Sequence, residues 1–393
     1  MTDAVIYLDN AATSHPKAPG VAEAMGRFLS EVDANPGRSG HRLSAAASRI
    51  LFECREAVAG LLGVSDSGRI VFTPNTTAAL NIALQGMLRD GGHVVTTSME
   101  HNSVMRPLTA LGERSGVEIT VVDADPAGRT APAAIARALR PETRLVAVNH
   151  ASNVVGTIAP VRAVKDAIGN VPLLVDAAQT AGAVPIDAEG YGIDLLAFSG
   201  HKSLLGPQGT GGLYVSPGIE LPPLMHGGTG SRSESHSHPD FLPDMLESGT
   251  PNTVGIAGLL AGVRYLAERG VADVRRHETE LVRRLLDGLG TIRGVTVYGI
   301  CQPAEMTAAV SITVEGVATD KLCMRLDREH GIMVRGGLHC APSAHRTIGT
   351  FPDGAARLSP GPFTTADEIG RALSAVGEIA AGTGRARAAG GAR

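Results

Sequence analysis

A lysine stands where a solvated charge has little reason to be. Lys202 closes the run Asp194-Leu-Leu-Ala-Phe-Ser-Gly-His-Lys202, after which a glycine-rich stretch leads back into apolar sequence at Leu213-Tyr214. An amine carried just past a buried strand projects into a cleft, where desolvation lowers its pKa enough for it to condense with a carbonyl as a Schiff base. Ser199 and His201 place hydrogen-bond donors for a phosphate beside it. Taken alone, a solvated loop lysine is the simpler account. Asp176 changes that. It ends the apolar run Pro172-Leu-Leu-Val-Asp176, and a carboxylate at a buried strand end needs a cationic or hydrogen-bonding partner. A protonated pyridine nitrogen is such a partner, and the pairing keeps pyridoxal phosphate acting as an electron sink. Gln179 could hydrogen-bond the ring oxygen. Helix capping by Asp176 would explain the carboxylate but not its combination with Lys202.

Two further segments follow apolar runs. Asn75-Thr76-Thr77 opens a helical pattern, where free backbone N–H groups, hydroxyls and the helix dipole make an anion site. Threonines cap many helices, so this signal is weak by itself. In Ser98-Met-Glu-His-Asn-Ser103, His101 can lie flat on a cofactor ring and carry protons between cofactor and substrate; an isolated loop histidine is otherwise unremarkable.

The elements that must position these groups are short apolar runs alternating with helical spacing. Strands are expected at Arg69–Thr73, His93–Ser98, Glu118–Val122, Leu145–Asn149, Pro172–Asp176, Leu195–Ser199 and Gly212–Val215. Helices are expected at Thr77–Met87, Ala131–Ala138 and Val161–Ile168. This rhythm predicts a mainly parallel sheet covered on both faces, with its chemistry at the carboxyl ends of the strands. One long helical stretch follows from Thr253 to Leu289. A smaller α/β unit comes next, with strands near Val295–Tyr298, Ala308–Val314 and Met333–Arg335 and helices at Asp320–Glu329 and Thr365–Ile379.

Composition narrows the classes. The 393 residues carry a net charge of −4, so no global basic field draws nucleic acid. No apolar run approaches the roughly 20 residues of a membrane helix, and the N-terminus has no signal-peptide pattern. Cys54, Cys301, Cys323 and Cys340 lie far apart, which fits a reducing cytoplasm better than a zinc site or a disulfide framework. His236 and His238, alternating in a Gly/Ser-rich loop, are weak metal ligands, so no metal is expected; a dimer-interface loop is the preferred reading. The Arg/Gly/Ala-rich end, 383–393, reads as a disordered tail.

Set in order, these motifs resemble the class V aminotransferase-fold enzymes, particularly the cysteine desulfurase and selenocysteine lyase family. Tyr7-Leu-Asp-Asn-Ala-Ala-Thr13, His150-Ala-Ser-Asn-Val-Val-Gly-Thr157 and Glu247-Ser-Gly-Thr-Pro-Asn252 strengthen the likeness, which runs from about residue 6 to about residue 380. It implies an α/β protein of PLP fold type I: a large domain, 16–262, with a mainly parallel seven-stranded sheet sandwiched by helices. A smaller C-terminal α/β domain would comprise 1–15 and 263–382. It implies that Lys202 binds pyridoxal 5'-phosphate, Asp176 pairs with the ring nitrogen, His101 covers the ring and Gln179 lies near its oxygen. Thr76, Thr77, Ser199 and His201 would hold the phosphate. Thr250 would reach it from a neighbouring subunit, which implies a homodimer with shared active sites.

Within that family, Val334-Arg-Gly-Gly-Leu-His-Cys-Ala-Pro342 looks like the catalytic cysteine loop, with Cys340 as nucleophile. The sulfur of substrate cysteine must leave toward a thiolate, and Arg335 or His339 is placed to favour that thiolate. Arg357 matches the arginine that grips the substrate α-carboxylate, with Asn153 on the same group and Arg335 also on the substrate side. The expected reaction turns L-cysteine into L-alanine, leaving the sulfur on Cys340 as a persulfide. Selenocysteine lyase, another carbon–sulfur lyase, or an aminotransferase or epimerase of the same fold is the alternative. A non-catalytic PLP-binding or sulfur-carrier protein is the reading from outside enzymology. The short stretch from Cys340 to Arg357 favours the branch with a compact cysteine loop, delivering sulfur to a small acceptor protein or thiol.

Overall fold

The computed structural model describes residues 5–37 and 40–390, the side chains of 383–390 excepted. The expected tail at 383–393 thus falls largely outside what is described, beyond a helical backbone that reaches Gly390.

Seven strands form the principal sheet, in the spatial order Ile70–Thr73, Gly211–Val215, Leu195–Ser199, Leu173–Asp176, Thr143–Asn149, His93–Thr97, Glu118–Val122. Gly211–Val215 runs against both its neighbours and the other pairings are parallel, so the sheet is mainly parallel as expected. Its inner strands are apolar without a polar face because both faces are covered. Leu145, Ala147 and Leu174 join the core under the helices Thr76–Leu88 and Asn102–Ser115. Val146, Val148, Leu173 and Val175 join the opposite core, under Arg42–Leu62, Val161–Ile168 and Thr253–Arg269. The period of two along each strand thus feeds two cores.

The long helical stretch is two helices. Thr253–Arg269 ends at Gly270, whose φ of 84° and ψ of 123° no helix accommodates, and Val271–Thr291 starts afresh beyond it. A smaller antiparallel sheet follows, ordered Arg335–Gly337, Ala355–Leu358, Val310–Val314, Val295–Tyr298. Ala355–Leu358 is not among the expected strands, and the expected strand at Met333–Arg335 is split. Ile332–Met333 pairs with Ile6–Tyr7 instead, while Arg335 begins a strand of the smaller sheet. Ile6 and Leu8 are buried with Leu285, Ile312, Leu326 and Val376 in the core of this unit. From there the N-terminal segment crosses to the principal sheet, where Ser14 N–H donates to His201 O at 3.0 Å. Among the described residues no helix is long and apolar enough to cross a membrane.

Candidate active site

Parallel register brings the strand ends together. Asn149 lies opposite Asp176, and Asp176 opposite Ala197, two residues before Ser199. Beyond Ser199 the chain turns at Gly200, where a Cβ would fall 2.1 Å from Thr210 Oγ1; only glycine allows the turn that presents His201 and Lys202. The space above these ends is a cavity with about 680 Å³ of empty volume. Thr76, Thr77, His101, Asn153, Asp176, Gln179, Ser199, His201 and Lys202 all line it, so it gathers nine of the residues singled out in the sequence.

Opposite charges face each other across the cavity. Burial pulls the Lys202 amine down to about 8, against an opposing pull from Asp176. Burial pushes the Asp176 carboxyl up, opposed by the Ala178 N–H it accepts at 2.9 Å and by Lys202. A carboxylate this buried is stabilised further by a cation brought against it, and an amine this desolvated is a nucleophile near neutral pH.

One side is built for an anion. Thr76 opens the helix Thr76–Leu88 behind an Asn75 cap that accepts from Ala78 N–H at 2.9 Å. Thr76 Oγ1 is buried and has no hydrogen-bond partner among the described residues, and a phosphate oxygen would supply one. His201 Nδ1 lies 3.1 Å from Thr13 Oγ1, which anchors the ring at the cavity wall. The fit to pyridoxal phosphate is thus an amine, a buried carboxylate and an orphaned hydroxyl around one cavity.

His101 caps the helix Asn102–Ser115, accepting the Ser103 N–H at Nδ1, 3.0 Å away. Burial and the charge of Lys202 press its pKa to about 4. The ring is therefore neutral, and because Nδ1 accepts, its proton sits on Nε2. Gln179 Nε2 donates to Ala11 O at 3.0 Å, fixing the amide against the N-terminal segment.

The substrate side comes from the smaller sheet. Arg357, 2% exposed, donates from Nη1 to Asn153 O at 2.8 Å and from Nη2 to Asp9 Oδ1 at 2.9 Å. Its Nε is buried without a partner among the described residues, so the guanidinium keeps donors for an incoming carboxylate. Asn153 Nδ2 donates to His339 O at 2.7 Å, which ties the cysteine loop to the same place. Cys340 is exposed, and its carbonyl accepts the Asn102 N–H at 2.8 Å, one residue from His101. By contrast Cys54 is fully buried, with its thiol pushed up to about 12. Both His339 nitrogens are engaged, Nε2 with Arg335 O and Nδ1 with His345. Thr250 is exposed and outside the cavity of its own chain. His238 Nε2 donates to Met245 O at 3.0 Å, and its ring lies 5.1 Å from the His226 ring.

Three residues at the site carry no signal of their own in the sequence: Asp9, Glu100 and His345. Asp9 lies in the N-terminal motif, where nothing local reveals that it meets Arg357. Glu100 precedes His101 and is 1% exposed; Oε1 accepts from Thr97 Oγ1 and Asn149 N–H, while Oε2 has no described partner. Burial pushes its carboxyl up to about 8.

The profile of the family described as Aminotransferase class-V matches residues 6–371. A probable cysteine desulfurase of Methanothermobacter thermautotrophicus is 37% identical over 373 residues, 93% of this chain and 92% of its own. One of Aeropyrum pernix is 38% identical over 87% of this chain and 86% of its own. Among solved structures, a cysteine desulfurase from Thermococcus onnurineus superposes with a TM-score of 0.90 at 33% identity, covering 96% of this chain and 95% of its own. A cysteine desulfurase from Escherichia coli does so at 0.84 and 28%, again over 96% and 95%. The expected fold type is borne out, and with nearly the whole chain matched, the protein belongs to the class V aminotransferase family.

Proposed function

We propose that this enzyme is a pyridoxal-phosphate-dependent cysteine desulfurase that converts L-cysteine to L-alanine and takes the sulfur on Cys340 as a persulfide. The observation that carries the reading is the tie between Cys340 and the cavity: its carbonyl is bonded to Asn102, beside the His101 that faces Lys202 and Asp176. Lys202 and Asp176 would hold the cofactor at opposite ends, with Thr76, Thr77, Ser199 and His201 around its phosphate. Bound there, pyridoxal phosphate supplies an electron sink that labilises the bonds at the substrate Cα. Arg357 receives the α-carboxylate at its free Nε and sets the substrate's orientation. Lys202, an amine of pKa about 8, moves the proton at Cα. His101, neutral and protonated at Nε2, orients by hydrogen bonding without adding charge. Cys340 then attacks the substrate sulfur as a thiolate. The S–S bond forms as the Cβ–S bond breaks, its electron pair stays with Cβ, and a proton completes the alanine methyl. The balance is one thiol and one cysteine giving one persulfide and one alanine, with no outside oxidant or reductant.

Thr250, absent from its own cavity and exposed, is assigned to the phosphate of a second subunit in a homodimer. The persulfide on a short loop is assigned to a small acceptor protein or thiol in a reducing, cytoplasmic setting. The test is Cys340→Ala with cysteine as substrate. The variant should keep the visible absorbance of bound cofactor and lose both alanine and persulfide, while wild type shows a mass gain of one sulfur at Cys340. Undiminished alanine from the variant overturns the role of Cys340. Pyruvate with ammonia, or a keto acid, in place of alanine moves the chain to another reaction of the fold.

A further inference from the structure

Two consecutive residues without the freedom of glycine, His339 and Cys340, sit at φ of 49° and 57°. A side chain is disfavoured in this left-handed region, and such a pair persists only where the surroundings over-determine it. Asn153 Nδ2 and Asn102 N–H hold the carbonyls of His339 and Cys340, and the His339 ring is held in turn by a hydrogen-bond chain whose direction is fixed from one end. Arg335 O can only accept, so His339 Nε2, 3.1 Å away, carries a proton and donates it. A neutral His339 then has a lone pair at Nδ1, so the contact to His345 Nε2 at 3.1 Å is donated by His345. His345 Nδ1 must in turn accept, and it does so from the Thr350 hydroxyl at 2.7 Å. Burial keeps both rings neutral, His339 pressed to about 3 and His345 to about 4. Thr350 N–H and Phe351 N–H return to His345 O at 2.9 and 3.1 Å, closing the far end on the main chain. His345 is wholly buried and makes no described contact with the cavity. Its ring therefore acts on Cys340 through His339, while its main-chain N–H donates to Ala341 O at 3.2 Å.

We infer that His345, backed by Thr350, is a positioning residue for sulfur transfer, holding the strained His339–Cys340 backbone in the one conformation that presents the thiol at the cavity mouth. This rests on the reading of Cys340 as the sulfur-accepting thiol. It adds that the loop is a clamped support, so that reach toward an acceptor depends on the acceptor entering.

The experiment compares holoenzyme bearing His345→Leu, His345→Gln and Thr350→Val with wild type. Leucine leaves His339 Nδ1 without its donor; glutamine can donate with its amide nitrogen and accept from Thr350 with its oxygen. His345→Leu should lower kcat for persulfide formation about tenfold or more, which corresponds to roughly 1.4 kcal/mol per factor of ten, with KM for cysteine and the cofactor absorbance unchanged. His345→Gln should restore kcat to within about threefold of wild type, a rescue that lost packing would not allow. A second readout needs no turnover: alkylation of Cys340 by iodoacetamide, followed by mass spectrometry, should change its rate in His345→Leu and recover in His345→Gln. Equal kcat and equal alkylation in all variants overturns the inference, as does a loss that tracks the melting temperature alone. Should His345→Leu fail to fold, Thr350→Val gives the same comparison with only the last donor removed. Wild type that makes no persulfide defeats the desulfurase reading, whereas the alkylation rates still report on the clamp.

Discussion

At the residue scale, the site works by withholding water from charged groups. Lys202, Asp176 and His101 are each shifted from their ordinary values chiefly by burial, in the direction that removes their charge. Glu100 shows the same effect without an obvious catalytic contact, which makes it the clearest place to measure it. Its carboxyl ionises at 4.5 ordinarily and at about 8 in the fold. Between those values the folded chain holds a proton that the unfolded chain has lost. Its stabilisation is therefore fully present below pH 4.5, declines as pH rises, and is gone above about 8. Glutamine has the same shape, offers an oxygen to Thr97 Oγ1 and Asn149 N–H, and cannot titrate. Glu100→Gln should match wild type in urea denaturation near the carboxyl's ordinary pKa of 4.5. Above about pH 8 it should exceed wild type by up to a few kcal/mol, at about 1.4 kcal/mol for each pH unit that separates ionisation in the folded chain from ionisation in the unfolded one. Parallel pH curves for the two proteins would mean that Glu100 ionises normally.

At the scale of elements, what the sequence disclosed and what it hid divide along one physical line. Strands buried on both faces announce themselves as apolar runs, and their ends carry Asp176 and Ser199 to the right place. Ala355–Leu358 is equally buried but reads Ala-Ala-Arg-Leu, with no β-branched residue and a cation in its middle. Only pairing with Val310–Val314 on one side and Arg335–Gly337 on the other makes it a strand, and those partners are distant in sequence. The meeting of Arg357 with Asp9 is of the same kind, set by tertiary packing, whereas His345 meets His339 across one local turn of the cysteine loop. The broken helix is different, because its signal is local. The apolar period runs through Gly270 in either reading, and a glycine inside a helical pattern costs too little to decide alone. Here it takes a φ of 84° with a ψ of 123° and breaks the chain into two helices. A Cβ at that position meets no backbone atom, so the cost of replacing it is conformational alone. Gly270→Ala should destabilise by about 1–3 kcal/mol in urea denaturation. A neutral result would mean that the helices join without needing that conformation.

At the scale of the whole molecule, the cavity has its amine, carboxylate and histidine from one chain, while Thr250 is exposed and lies outside it. The segment that carries it, between the strand ending at Val215 and the helix beginning at Thr253, is irregular and exposes three large apolar side chains. Leu224, Met225 and Phe241 are 43%, 65% and 40% exposed. Apolar groups of that size on a loop leading to a site residue are what an isologous interface would cover. On that arrangement each site takes Lys202 from one subunit and Thr250 from the other, which yields a test independent of any measurement of mass. Lys202→Ala should be inactive, and Thr250→Ala weakened through poorer hold on the phosphate. When the two variants are unfolded together, refolded and supplied with pyridoxal phosphate, random pairing makes about half of the dimers mixed. In a mixed dimer one site lacks both groups and the other has both intact, so about a quarter of all sites become fully native. Desulfurase activity should therefore rise above the sum of the separately refolded variants, toward about a quarter of wild type. Activity no greater than that sum would mean that each chain completes its own site, and that Thr250 lies idle beside an interface serving some other purpose.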